Sequence, residues 1–287
     1  MKKLIRLLIP DFFKLIYRYR LHHNVFPNFF RPRTFNEKIA VRMMRPKKSY
    51  SILADKIAVR KYVEEKIGGD YLIPLIWTGE RLTAEVWDNL PEMFVLKANH
   101  ASGTNLIVKS KSALEFKNVE KLTNKWLAMN FSKVNLEKHY KYIKPKLMAE
   151  QLLITETGSI PYDYKVHCFN SLKGPKYFIQ VDYDRFENNG IGHTRDFFDQ
   201  DWNFLDFTLD YPNAYNKAKK PESLHTILEL SHQLSEELAY ARVDWYIFNN
   251  KLLFGEITLT HGCAGETFTP EIYNKIWGDL WDINYEK

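Results

Sequence analysis

Two apolar runs separated by Asn249-Asn250, in the stretch ARVDWYIFNNKLLFGEITLTHG, restrict this chain more than any other feature. Asn-Asn tolerates left-handed backbone angles, so the pattern predicts an antiparallel hairpin with a tight turn. Residues two apart on a strand leave the same face, which pairs Arg242 with Asp244 on one run and Glu256 with Thr258 on the next. Folding the runs across the turn brings Asp244 near Glu256. Two carboxylates meeting in a sheet repel unless a cation lies between them, and hard oxygens of this kind suit Mg²⁺.

The ordinary reading of strand carboxylates is a solvated outer face. Their neighbours argue against it here. Val243, Trp245, Ile247, Leu253 and Ile257 fall on the parity opposite the acids, while Tyr246, Phe248, Leu252 and Phe254 share it. A strand apolar on both faces is central, and charges inside it need a partner or a function.

The 287 residues suffice for one large domain or two smaller ones sharing a cleft. Hydrophobic residues at 45% and charged residues at 26% exclude a disordered chain, and the net charge of +6 attracts anionic partners without selecting one. Cys168 and Cys263 alone exclude a disulfide framework and a four-thiolate zinc site, and suit a reducing cytoplasm. The opening MKKLIRLLIPDFF is interrupted by Pro10 and Asp11 before it reaches signal-peptide or membrane-spanning length. Residues 1–30 read as a basic amphipathic helical segment, either packed on the body or lying at a membrane interface.

Thr34 and Glu37 have the spacing of a capping box. Lys56, Arg60 and Lys61 follow on a helical pattern that Gly68-Gly69 stops, and a solvated basic face is their default reading. YLIPLIWTG is a strand broken by Pro74. Lys97 closes the run Phe94-Val95-Leu96 before a small-residue loop containing Ser102 and Gly103, where backbone N–H groups can close on a phosphate. No Walker loop occurs. Residues 117–142 read as helical. Glu150 lies on the strand KLMAEQLLI, as a strand-edge acid or the acceptor of a nucleotide hinge, and Asp163 and Lys165 share a face of YDYKVHCFN. Asp182 and Asp184 form a D-x-D, a spacing that also binds the metal of nucleotide-sugars. His261 and Cys263 in HGCAG are read as loop residues in preference to a thiol nucleophile.

Taken jointly, TFNEK, ADKIAVRKYV, FVLKANHASG, DYKVHCF, RVDWY and FGEITLT resemble the TupA-like branch of the ATP-grasp superfamily, from about residue 30 to the end. The resemblance implies an α+β ATP-grasp fold over 31–287, in which two subdomains with antiparallel sheets grip ATP. The glycine-loop lobe would span approximately 92–150 and the metal lobe approximately 151–287. It implies that Lys56 and Lys97 bind the nucleotide with Ser102 and Gly103, that Glu150 and Leu152 lie at the adenine hinge, and that Asp244 and Glu256 hold Mg²⁺. Thr258 stands where Asn is usual among ATP-grasp ligases. Arg242 occupies the place of an arginine that steadies the transferred phosphoryl group in the D-alanine ligase branch, and Lys165 is a second catalytic candidate.

The activity implied is an ATP-dependent carboxylate-amine ligase forming an amide through an acyl phosphate. Its substrates would be a sugar carboxylate or polysaccharide precursor and an amine or amino acid, in the cytoplasm or at the inner face of the membrane, with no nucleic-acid partner. A nucleotide-sugar glycosyltransferase using Asp182 and Asp184 is the chief alternative, and a noncatalytic glycan-binding protein a third.

Overall fold

The computed structural model describes residues 10–156, 158–183, 192–215 and 218–285. Its strands are β1 (Leu75–Gly79), β2 (Phe94–Ala98), β3 (Asn105–Val108), β4 (Leu147–Gln151), β5 (Asp163–Phe169), β6 (Lys176–Tyr183), β7 (Thr194–Asp199), β8 (Phe204–Leu205), β9 (Thr208–Leu209), β10 (Tyr240–Phe248), β11 (Lys251–Thr258) and β12 (Phe268–Thr269). A four-stranded antiparallel sheet has the order β1-β4-β2-β3, and a six-stranded one the order β11-β10-β5-β6-β7-β8. The smaller sheet starts at Leu75, directly after Pro74, which has no N–H for a ladder. The small sheet therefore begins upstream of residue 92. Glu150, on β4, lies between two neighbouring strands and not at an edge.

The helices are α1 (Asp11–His23), α2 (Phe35–Met44), α3 (Lys48–Ala54), α4 (Ala58–Ile67), α5 (Ala84–Asn89), α6 (Phe116–Leu127), α7 (Phe131–Val134), α8 (Leu224–Ser235) and α9 (Ile272–Leu280). The capping box forms as expected: Glu37 N–H donates to Thr34 Oγ1, and Thr34 N–H donates to the Glu37 carboxylate. The stretch 117–142 is not one helix. Asn130 accepts from the Lys133 N–H and starts α7 afresh, and Lys138–Tyr142 forms a separate 3₁₀ turn.

Trp87, Val119 and Trp126 pack on the small sheet with Phe94, Leu96 and Ala149. One face of the large sheet, carrying Val166, Val243, Trp245 and Ile257, is closed by Val63, Ile227 and Leu234 of α4 and α8. The other face starts in an aromatic core of Phe35, Phe169, Tyr240 and Trp277, joined by Leu15 and Tyr19 of α1. Two and four residues beyond Tyr240, the same face of β10 presents Arg242 and Asp244. α1 is thus a packed helix over Asp11–His23, and the basic residues before it lie outside the described residues.

Candidate active site

The hairpin turns at Asn249 and Asn250, with φ of 51° and 59°, the left-handed pair that asparagine tolerates. Its register sets Asp244 opposite Glu256 and Arg242 opposite Thr258. A bulge then intervenes: Trp245 pairs with Phe254, leaving Gly255 as the extra residue. A Cβ there would lie 3.1 Å from the Asp244 carbonyl oxygen, so glycine permits the close approach. The bulge also reverses the parity of the outer half of β11. Leu252 and Phe254 join Trp245 in one core, and Leu253 packs with Tyr246, the opposite of what unbroken alternation predicts.

Arg242 is the hub of the four groups. Its Nε and Nη2 donate to the two oxygens of Asp244 at 2.7 Å each, and Nη2 also reaches Glu256 at 3.1 Å and Thr258 Oγ1 at 3.0 Å. Burial disfavours its charge, yet Asp244 more than compensates and the guanidinium is held above its ordinary pKa. Arg242 is thus engaged in salt bridges with Asp244 and Glu256 and still lines a cleft of about 520 Å³.

On the next strand Lys165 lies opposite Asp244, 2% exposed, with Nζ 3.1 Å from Asp244, 2.9 Å from Asp163 and 3.8 Å from Asp182. Asp182 continues the row to Arg195 at 2.7 Å and His193 at 3.3 Å. Arg195 reaches Glu266 at 3.3 Å, and Glu266 reaches His261 at 2.9 Å. Opposite charges alternate along this row. Burial works against ionisation of Asp182, but Arg195, His193 and Lys165 hold it well below the carboxylate range.

The loop after β2 meets this face. Lys56, just before α4, is half-buried and donates to the Ala101 carbonyl at 2.8 Å. Burial lowers its pKa, with Glu256 the foremost group opposing that shift. Lys56 and Ser102 line the same cleft as Lys165, Arg242, Glu256 and Thr258. Gly103, at φ +71°, gives the loop its left-handed turn. A second, mainly apolar cavity gathers Ile73, Val95, Ile107, Leu152 and Tyr246 with Lys97 and Glu150, a setting suited to a planar base. Glu150 is bound there by Lys97 and by Arg60 at 3.1 Å. The solvated basic face is thus corrected for Lys56, which is tied to the loop after β2, and for Arg60, which is tied to Glu150 on β4, and holds for Lys61, which is exposed and paired with Glu65.

Sequence reasoning missed Arg60, Glu137, His193, Arg195 and Glu266. Glu137 is buried against Thr260 and lines the cleft, and burial raises its pKa. Arg60 stands inside ADKIAVRKYV with no site role read for it, and no motif marks the other four. Cys263 also lines the cleft, but burial and Glu137 push its thiol well above the ordinary value, which suits a loop role. In the alternative D-x-D, Asp182 is buried in ion pairs and Asp184 lies outside the described residues.

Among the described residues no three His, Cys, Asp or Glu side chains are grouped to hold a metal by themselves. Asp244, Glu256 and Thr258 nevertheless offer oxygen donors: Glu256 and Thr258 line the cleft, the Glu256 side chain keeps 38% of its surface open, and Asp244 lies opposite Glu256 with both oxygens held by Arg242. That set fits Mg²⁺, which commonly takes one or two carboxylates and completes its shell with phosphate oxygens and water.

Glu266 gives this row a pH signature. Burial raises its pKa, but His261 and Arg195 outweigh burial and bring it from 4.5 down to about 2. Its contribution is complete above the unfolded value and is lost as pH falls from 4.5 towards about 2. It amounts to at most about 3 kcal/mol. Glu266→Gln is expected to lower stability at pH 7 and flatten the loss between pH 5 and 2, read by urea unfolding. A parallel shift at both ends of that range would show that the carboxylate charge contributes nothing.

Residues 37–282 match the family model described as TupA-like ATPgrasp. Among solved structures, the chain is similar to a D-alanine-D-alanine ligase from Helicobacter pylori, at 18% identity and TM-score 0.42, covering 74% of this chain and 56% of that one. A phosphoribosylamine-glycine ligase from Thermotoga maritima matches at 12% identity and TM-score 0.41, over 75% of this chain and 49% of the other. An N5-carboxyaminoimidazole synthetase from Staphylococcus aureus, complexed with ADP, matches at 13% and 0.39, over 72% and 44%. The chain spans about half the length of these proteins. No curated protein sequence matches it significantly.

Proposed function

This chain belongs to the TupA-like ATP-grasp family, and from that premise we propose that it is an ATP-dependent carboxylate-amine ligase acting on a uronic-acid or amino-acid component of a surface polysaccharide. The observation that carries this reading is the direct opposition of Asp244 and Glu256 across the hairpin beside Arg242, with Glu256 and Lys56 lining one cleft. The net charge of +6 suits an acidic glycan.

Asp244, Glu256 and Thr258 would hold Mg²⁺, which neutralises triphosphate charge when bound. Lys56 and the Ser102-Gly103 loop draw phosphate into the cleft, while Lys97, Glu150 and Leu152 border the apolar cavity for the base. The acceptor carboxylate attacks the γ-phosphorus and ADP leaves. The amine nitrogen then attacks the acyl carbon, and phosphate departs with the electrons of the broken bond. Arg242 offers a planar fork to the acyl phosphate and the oxyanion formed from it. Glu137 lines the same cleft, and the proton the amine loses leaves with the departing phosphate. Lys165 fixes Asp244 from the other side.

Binding is tested by thermal shift. MgATP at a hundred times its Kd is expected to stabilise the protein by about 2.7 kcal/mol. Lys56→Met, which keeps length but cannot donate to phosphate, is expected to weaken that binding by roughly tenfold to a hundredfold. Stabilisation by a nucleotide-sugar and not by MgATP would transfer the site to the glycosyltransferase reading, and none from either would leave a glycan-binding protein. Phosphate release that requires both a uronate and an amine then identifies the ligase.

A further inference from the structure

The stretch from Phe12 to Arg33 contains no Asp or Glu but carries Lys14, Arg18, Arg20, Arg31 and Arg33. Its inner side is fixed to the body through buried Leu15 and Tyr19. Its outer side is apolar: Phe13, Tyr17 and Leu21, four residues apart on α1, are 57%, 64% and 66% exposed. The turn that follows adds Phe26 at 71% and Phe30 at 93%. That turn lies beside the start of the helix, with the Phe29 ring 4.7 Å from Phe12, and Arg20 covers Phe26 at 5.7 Å. Exposed aromatic rings interleaved with arginine form the surface that an anionic bilayer interface accepts.

We propose that the face from Phe12 to Arg33 docks on an anionic lipid bilayer, with its aromatic rings at headgroup depth and Arg20, Arg31 and Arg33 among the lipid phosphates. The back of this face abuts the catalytic cleft. Arg18 donates to the carbonyls of Asn135 at 2.9 Å and Cys263 at 3.3 Å, and the His23 ring lies 2.7 Å from the Ala264 carbonyl. Asn135 and Cys263 line the cleft, so docking sets its rim next to the membrane surface. The inference does not depend on the ligase reading.

Flotation of the full chain with vesicles of phosphatidylglycerol and phosphatidylcholine tests it, against phosphatidylcholine alone. Binding is expected only to the anionic vesicles and is expected to fall with added salt. Each basic residue near such a surface strengthens binding about fivefold, so Arg31→Ser with Arg33→Ser weakens it roughly thirtyfold. Phe13→Ser, Leu21→Ser and Phe30→Ser together abolish flotation, with thermal melting as the control for folding. No flotation, equal binding to neutral vesicles, or undiminished binding by a folded Arg31→Ser, Arg33→Ser variant overturns the proposal. A dimer seen by light scattering, lost on the triple substitution and accompanied by no vesicle binding, would assign the face to a second copy of this chain.

Discussion

Glu256→Gln is expected to lower ATP turnover by at least about a hundredfold while leaving the protein folded, because it removes a carboxylate charge that would hold Mg²⁺ against the triphosphate. The Glu256 side chain is 38% exposed and is only one of the partners of Arg242, so the ion pair it loses costs under about 1 kcal/mol of stability. Asp244→Asn removes the same kind of ligand with a different side effect. Asp244 is buried between Arg242 and Lys165, and neutralising it leaves two buried cations short of a carboxylate. Turnover is expected to collapse in both variants, but Asp244→Asn also loses about 3 kcal/mol or more of stability. Melting curves beside a phosphate-release assay separate the two losses. Near-normal turnover in a folded Glu256→Gln variant would end the metal assignment.

The hairpin and its turn were legible because they rest on local rules. The Asn-Asn turn marks where the two runs reverse, but a two-residue turn alone would set Asp244 opposite Gly255 and Arg242 opposite Ile257; the extra residue at Gly255 brings Glu256 and Thr258 opposite them. The capping box at Thr34 is local in the same way. The bulge at Gly255 was not legible, since a glycine inside an apolar strand does not say whether the ladder skips it, and one skipped residue inverts the parity of Leu252, Leu253 and Phe254. Arg60 was misread for another reason. Helical spacing shows which residues share a face, but not that a strand 90 positions later will bring Glu150 to it. Arg195 and Glu137 are harder still, because each reaches the cleft from an element whose own pattern gives no reason for a charge.

Lys165→Met is the second large effect. Three cations, Lys165, Arg195 and Arg242, stand among Asp163, Asp182 and Asp244 on the buried face of the sheet. Methionine fills most of the volume but removes one of the three positive charges. Asp163 and Asp182 are direct cross-strand partners, so they then face each other across the place Lys165 held. Breaking a buried ion network from one side costs about 3–5 kcal/mol, and that loss is expected in urea unfolding at pH 7. It should shrink on acidification, because carboxylates deprived of their cation bind protons more readily in the folded state than in the unfolded one. Adding Asp163→Asn removes the repulsion and should return a large part of the stability, whereas simple additivity of the two losses would show that the residues are not coupled. The rescued double variant then decides what Lys165 does in the reaction. Retained turnover makes it a positioning residue for Asp244, and turnover lost from a stable double variant assigns its ammonium to direct contact with the reacting groups.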